Sequence, residues 1–122
     1  MNPTLFEKIG GQETVEKASH FLYVHILQDE HIKHFFEGID IEKQQRKMSA
    51  FLTYIFGGPS LYIGKDMRRA HKNAVGDGLG DSHVDSMMEC VRKALSDVQV
   101  DEESIEEVIK TIETHRDDVL GR

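Results

Sequence analysis

Apolar residues recur at three- and four-residue intervals through most of this chain, the spacing that puts them on one face of an α-helix. A short first stripe, Leu5, Phe6 and Ile9, follows Thr4 or Asn2 as N-cap and stops at Gly10-Gly11, since glycine tolerates the left-handed backbone just past a helix end. A second helix is predicted from near Gln12 or Thr14 to about Leu27, on a face of Val15, Ala18, Leu22, Tyr23, Ile26 and Leu27. After the turn Gln28-Asp29-Glu30, residues 31–36 form one or two helical turns ending at Gly38. Asp40 caps a third helix over residues 41–56, with the stripe Ile41, Gln44, Met48, Phe51, Leu52, Ile55 and Phe56, and Gly57-Gly58-Pro59 stops it.

Residues 59–64 read as loop. Residues 65–75, with Asp66 as cap, carry Met67, Ala70, Ala74 and Val75 at helical spacing, and Gly76 to Gly80 break the chain again. A long helix then starts at Asp81 or Ser82 on Val84, Met87, Met88, Val91, Ala94, Leu95 and Val98. Asp101, Glu102 and Glu103 open the last helix, where its dipole favours acidic groups. Its face is Ile105, Val108, Ile109, Ile112 and Val119. No strand pattern, repeat or linker intervenes, so the expectation is an all-α fold in one domain over residues 1–122.

Several polar residues fall on these apolar faces. His71 lies in the stripe of the segment flanked by glycine breaks, and His115 lies three residues after Ile112. Each imidazole is either a satisfied core group or held there to bind something. Tyr23 is either a core tyrosine bonded to a carbonyl or a donor aimed into a cavity. Gln44 and Lys47 either keep their tips in water or form the polar side of a pocket. The adjacent Phe35 and Phe36 either close a core or wall a flat ligand.

Composition narrows the chemistry. The net charge of -7 argues against nucleic acid and anionic membranes as partners. The single cysteine, Cys90, excludes an intrachain disulfide and a cysteine metal cluster, and suits a reducing cytosol. No apolar run is long enough to span a membrane, and the N-terminus lacks a signal-peptide layout. There is no Gly-x-Ser-x-Gly elbow, and Gly76 to Gly80 follows a helix without a Gly-Lys-Ser/Thr, which sets aside a serine hydrolase and a phosphate loop. The other histidines, His20, His25, His31, His34 and His83, share no zinc-ligand spacing. A haem fits better. It needs one imidazole from a helix face, His71, an apolar slot that Phe35, Phe36, Phe51 and Met67 can line, and polar groups opposite, for which Tyr23, Gln44 and Lys47 are available. Without Cys-x-x-Cys-His, thioether attachment is excluded.

The chain resembles the group I truncated haemoglobins, the two-over-two helical globins. The likeness rests on Leu5-Phe6-Glu7-Lys8-Ile9-Gly10-Gly11, His34-Phe35-Phe36 with Asp40, residues 50–58 (Ala-Phe-Leu-Thr-Tyr-Ile-Phe-Gly-Gly), Met67-Arg68-Arg69-Ala70-His71-Lys72, and His115-Arg116-Asp117-Asp118-Val119-Leu120, in order and at the right separations. The resemblance implies a two-over-two helical sandwich around haem b. It implies His71 as proximal ligand, Phe36 against the porphyrin, and Tyr23 and Gln44 as distal residues holding dioxygen. Met48 stands where many relatives carry a second distal glutamine, and a thioether cannot donate. Leu52 stands where some have a tunnel-gating phenylalanine. Lys47 falls where some relatives place a sixth iron ligand, and His115 where some bond covalently to a haem vinyl group. Lys43 and Arg68 are candidates for the propionates. The implied ligands are dioxygen, nitric oxide and carbon monoxide. The implied activities are oxygen binding or transport, nitric-oxide dioxygenation with an external reductase, or peroxidase-like chemistry, in a cytoplasmic monomer. The other implied reading is a non-enzymatic carrier, sensor or electron-transfer protein with Lys47 as reversible sixth ligand.

Overall fold

A computed structural model describes residues 4–59 and 65–122, with residues 65 and 66 described by their backbone alone. The elements are α1 (Leu5–Ile9), α2 (Gly11–Gln28), a 3-10 turn (Lys33–Phe36), α3 (Ile41–Ile55), α4 (Lys65–Gly76), α5 (Asp81–Asp97), α6 (Glu102–Glu113) and α7 (Arg116–Leu120). No strand occurs among the described residues. The caps that the sequence offers are made: Thr4, Asp40 and Asp101 side chains accept from the backbone N–H groups of Glu7, Lys43 and Ser104. Each such cap contributes about 1 kcal/mol. The Ser104 hydroxyl and N–H also hold the Asp101 carboxyl below its usual pKa, through charge-favouring hydrogen bonds. Asp66, the expected cap of α4, has its side chain outside the described residues, as does Asn2.

α2 is the centre. It packs on α3 and on α5, and α5 packs on α6, which sets the helices out as two contacting pairs. Val15, Ala18, Leu22 and Ile26 of α2 are shut off from water, with Leu52, Phe56, Leu95 and Val108 from its neighbours. Burying a side chain of this size contributes roughly 1.5–3 kcal/mol. A polar seam crosses the α2–α3 contact. The Ser49 hydroxyl donates to that of Ser19 at 2.8 Å, Ser19 donates to the Val15 carbonyl at 3.0 Å, and Thr53 to the Ser49 carbonyl at 2.8 Å. Among the described residues no buried side-chain polar atom lacks a partner.

Two details depart from the periodicity. The last apolar stripe is broken: α6 ends at Glu113 and α7 starts at Arg116. The Thr114 hydroxyl donates to the Thr111 carbonyl at 2.6 Å, and the His115 N–H bonds three residues back to Ile112. This local side-chain competition ends the α-helical ladder. The other departure is that Leu27 is 45% exposed. It is 100° around the helix from Ile26, and Ile26 takes the central position under Leu22. Ala70, too, is exposed, because α4 rests on the fold through its Met67 side.

Gly58 shows why the third helix must stop on glycine. A Cβ there would lie 2.6 Å from two carbons of the Phe6 ring, while the Phe6 N–H donates to the Phe56 carbonyl at 2.8 Å. The end of α3 thus holds α1 by backbone approach. Gly58→Ala is expected to lower unfolding stability by about 1–3 kcal/mol through overpacking, read as a shift of the urea midpoint at unchanged slope.

Candidate functional site

α2 and α3 bring Tyr23, Gln44, Met48 and Phe51 to one side of the fold. Gln44, Met48 and Phe51 recur at four and three residues on α3, so they share a face, with Lys47 at its edge. All three are half-buried, while Tyr23 is 3% exposed. The Tyr23 hydroxyl donates to the Gln44 backbone carbonyl at 3.4 Å, and its ring meets that of Phe36 edge-on at 5.7 Å. A relaxed O–H···O bond is about 2.7–2.8 Å, so this hydroxyl is loosely held. Burial pushes the phenol up to about 12, so it keeps its proton as a donor at physiological pH.

α4 presents His71 half-buried, with its Nδ1 2.7 Å from the Met67 carbonyl one turn back. A carbonyl only accepts, so Nδ1 carries the proton and Nε2 keeps its lone pair. No partner engages Nε2 among the described residues. This is the arrangement a metal-ligating imidazole needs: one nitrogen fixed by a backbone acceptor, the other bare. α4 rests chiefly on α7 and makes no extensive contact with α3 or α5 among the described residues. Phe35, Phe36, Met48, Phe51, Leu79 and Met87 pack on the core only by part of their surface. Half-covered large apolar groups beside a bare imidazole, with a phenol and an amide from α2 and α3, suit a flat apolar ring with a metal at its centre. The residues present therefore fit a haem.

His115 lies at this site too. It caps the break before α7, its Nδ1 3.1 Å from the Thr111 carbonyl, with its ring edge-on to Phe51 at 6.0 Å and to Tyr54 at 5.9 Å. Its Nε2 also has no hydrogen-bond partner among the described residues. Lys47 is exposed and has no ion pair among them. Lys43 is exposed and falls off the Gln44–Met48–Phe51 face, so its link to the site is weaker than that of Lys47. Arg68 is turned elsewhere: its Nε is 3.2 Å from an Asp118 oxygen and its Nη2 2.5 Å from the Arg122 carbonyl. These acceptors on α7 draw it from the position expected of a propionate contact. An open groove beside α3, lined by Gln12, Glu16, Arg46, Ser49 and Thr53 among others, is separate from these residues.

Two clusters were invisible in the spacing. Arg116, beside His115, is nearly enclosed and pairs with Asp81, Asp85 and Glu113, while Arg122 pairs with Asp81 and Asp117. Arg122 and Arg116 hold the Asp81 carboxyl below its usual range, and Arg116 does the same for Glu113. This knot ties α7 to the start of α5. Nearby, the rings of His31 and His83 stack at 4.3 Å and His34 approaches His83 at 6.2 Å. No group of three His, Cys, Asp or Glu among the described residues is arranged to hold a metal ion.

His83 Nδ1 accepts the Gly80 N–H at 2.9 Å, capping α5. Burial, then the charges of His31 and His34, lower its pKa. A histidine whose folded pKa lies below its unfolded value of about 6.5 binds fewer protons when folded. Its contribution is therefore present above about 6.5 and lost as pH falls below it. The urea midpoint is expected to fall between pH 7 and 5.5, and to fall less in His83→Gln, which supplies the capping acceptor without titrating.

The bacterial-like globin family model matches residues 4–120. A group 1 truncated hemoglobin of Synechocystis sp. is 42% identical over 122 residues, covering 98% of each chain. One from Tetrahymena thermophila is 39% identical over 120 residues, covering 98% of this chain and 97% of its own. Among solved structures, the 2/2 hemoglobin from Synechococcus sp., in the cyanomet state with covalently attached heme, superposes with a TM-score of 0.91 at 36% identity, covering 98% of this chain and 100% of that one. The truncated hemoglobin of Tetrahymena pyriformis in its Fe(III) form does so with a TM-score of 0.89 at 38% identity, with the same coverage. No helix among the described residues is long and apolar enough to cross a membrane. With its two-over-two helix pairs and a half-buried α4 imidazole whose Nε2 has no partner among the described residues, the chain belongs to the bacterial-like globin family, as a group 1 truncated haemoglobin.

Proposed function

We propose that this protein holds haem b through His71 and binds dioxygen and related diatomic gases on the side of Tyr23 and Gln44. The observation that carries this reading is the 2.7 Å contact between His71 Nδ1 and the Met67 carbonyl, which leaves Nε2 as the ligating atom. When bound, the haem supplies an iron that takes this one imidazole and leaves a position for a small ligand. Phe36 and Phe51 would pack against it and exclude water. The Tyr23 hydroxyl, held at 3.4 Å by a neutral carbonyl, turns to a ligand that draws negative charge, and the Gln44 amide adds a second donor. Met48 adds none, so this distal side has two donors where a relative with a second glutamine has three.

The finer activity we infer is conversion of nitric oxide to nitrate, in which nitric oxide and dioxygen combine with one electron from an external reductase. Carbon monoxide is expected to bind as an inert competitor. The test is to mix the oxygenated protein with nitric oxide and a reductant and to count nitrate over many turnovers. An intense Soret band and sustained nitrate formation are expected. A Soret band without turnover would leave a carrier or sensor, and its absence would remove the haem reading altogether.

Lys47 favours a second state. Its side chain is exposed at the edge of the Gln44–Met48 face and has no ion pair among the described residues. A lysine binds metal only as the neutral amine, so ligation releases a proton and is favoured as pH rises. The ferric protein is expected to gain a six-coordinate low-spin spectrum with increasing pH, and Lys47→Ala to lose it. An identical titration in both proteins would remove Lys47 from the iron. His115 Nε2, bare beside Phe51, is the group we propose for a bond to a haem vinyl. Acid-butanone extraction after reduction tests it, since a crosslink keeps haem colour in the aqueous layer.

A further inference from the structure

Charge along this chain is unevenly placed. The α4 segment holds Lys65, Arg68, Arg69 and Lys72 against Asp66 alone, a formal +3 in a chain of total charge -7, so everything outside it sums to -10. In the fold, Arg68, Arg69, Lys72 and Val75 line one shallow hollow beside Gly121. Among the described residues, two acids of α7 are already matched: Asp118 by Arg68, Asp117 by Arg122. Arg69 and Lys72 are exposed and have no ion pair among the described residues. Like charges three and four apart weaken a helix, so folding gains nothing from this arrangement.

We propose that this outer face of α4 is the docking surface for a small acidic protein that delivers one electron to the haem. The proposal rests on the haem-binding reading above. Charge complementarity selects the partner. A compact acidic patch fits a basic one of this size, whereas an extended polyanion such as a membrane or nucleic acid also meets the -10 of the surroundings and is repelled. Position selects the role. His71 is on the same helix, three residues after Arg68 and one before Lys72, so these two flank it while Arg69 lies across the helix, which is about 10–12 Å across with its side chains. A partner seated on this basic flank thus sits within about one helix diameter of what His71 holds. In the transfer, one electron leaves the partner's reduced iron–sulfur cluster and arrives at the ferric iron, with no bond made or broken and no proton moved. The chain has no redox group of its own to substitute, since its one thiol, Cys90, is buried and pushed up to about 11 by burial and by the Asp29 charge.

The test uses the haem-loaded ferric protein and an acidic plant-type [2Fe–2S] ferredoxin as probe. Binding is read by calorimetry with the oxidised probe, and reduction by stopped flow with the reduced one. Association at low ionic strength is expected to weaken at least about tenfold between 20 and 200 mM salt, where screening shortens the reach of exposed charges. The double reversal Arg69→Glu with Lys72→Glu is expected to slow reduction at least about tenfold at low salt. It should leave haem content, spectrum and reduction by a small neutral reductant unchanged. Lys93→Glu on α5 is the control reversal and is expected to change little. The proposal is overturned if the double reversal reduces at the normal rate, if Lys93→Glu slows it equally, or if the protein binds phosphatidylserine vesicles through Arg69 and Lys72 but not the probe. Failure of nitric-oxide turnover alone would leave the docking result standing, and absence of a Soret band would identify the haem reading as the part that failed.

Discussion

His71→Ala is expected to abolish axial imidazole ligation and to weaken haem retention by more than about 100-fold. Disturbing a group that merely orients a metal ligand commonly costs 10–100-fold in affinity, and here the proposed ligand itself is removed. The fold should survive. His71 is half-buried, and its one hydrogen bond runs to a carbonyl of its own helix, so the substitution leaves no buried polar group unpaired. The measurement is the rate of haem transfer to an apo-acceptor, together with the ferrous spectrum. Imidazole added to the solution should occupy the space left by the side chain and restore the histidine-type spectrum. An unchanged spectrum in His71→Ala would move the proximal ligand elsewhere.

Tyr23→Phe is the second large effect. It deletes one oxygen atom, keeps the ring that meets Phe36, and removes a bond of only 3.4 Å, so stability should change little. Ligand escape should change a great deal. A hydrogen bond to a charged acceptor is worth roughly 1.5–3 kcal/mol. Dioxygen dissociation is therefore expected to accelerate about 10- to 100-fold, at tenfold per 1.4 kcal/mol. Carbon monoxide, a poor acceptor, should leave at a nearly unaltered rate. With the phenol pushed up to about 12, the difference between wild type and variant should be flat from pH 6 to 9. Equal acceleration of both gases would mean that the substitution opened the pocket rather than removed a donor.

The residues that these two experiments address were legible in the sequence because both break a strong local rule. Tyr23 and His71 are polar groups on faces otherwise apolar, and helical spacing alone places them inward. α2 and α5 follow their stripes closely, since each runs the length of the core and tertiary packing agrees with periodicity. The end of the chain did not read so simply. Ile112 and Val119 are seven apart and fit one helix, yet Thr114 and His115 turn their side chains onto carbonyls of the preceding turn and split it. Periodicity counts apolar positions and is blind to that competition. The stacking of His31 on His83 joins residues 52 apart, and the Arg116–Asp81 pair joins residues 35 apart. Only the packing of α2 and α7 against α5 brings such groups together. The pull of Asp118 on Arg68 is likewise a product of how α7 folds back on α4.

That fold-back has a thermodynamic consequence. α4 leans on five residues of α7, and α7 is fastened by the buried Leu120 together with the ion pairs of Arg116 and, just past its end, Arg122. The α2–α3–α5 centre needs neither. The molecule is thus a self-sufficient core with a proximal arm of lower local stability, and small local stabilities open first. A ligand that bridges the two must spend part of its binding free energy fixing the arm, and returns it as added stability of the whole. Affinity for the prosthetic group becomes a quantity that the ion pairs of Arg116 and Arg122 can set, and that ionic strength can tune without a substitution at the site.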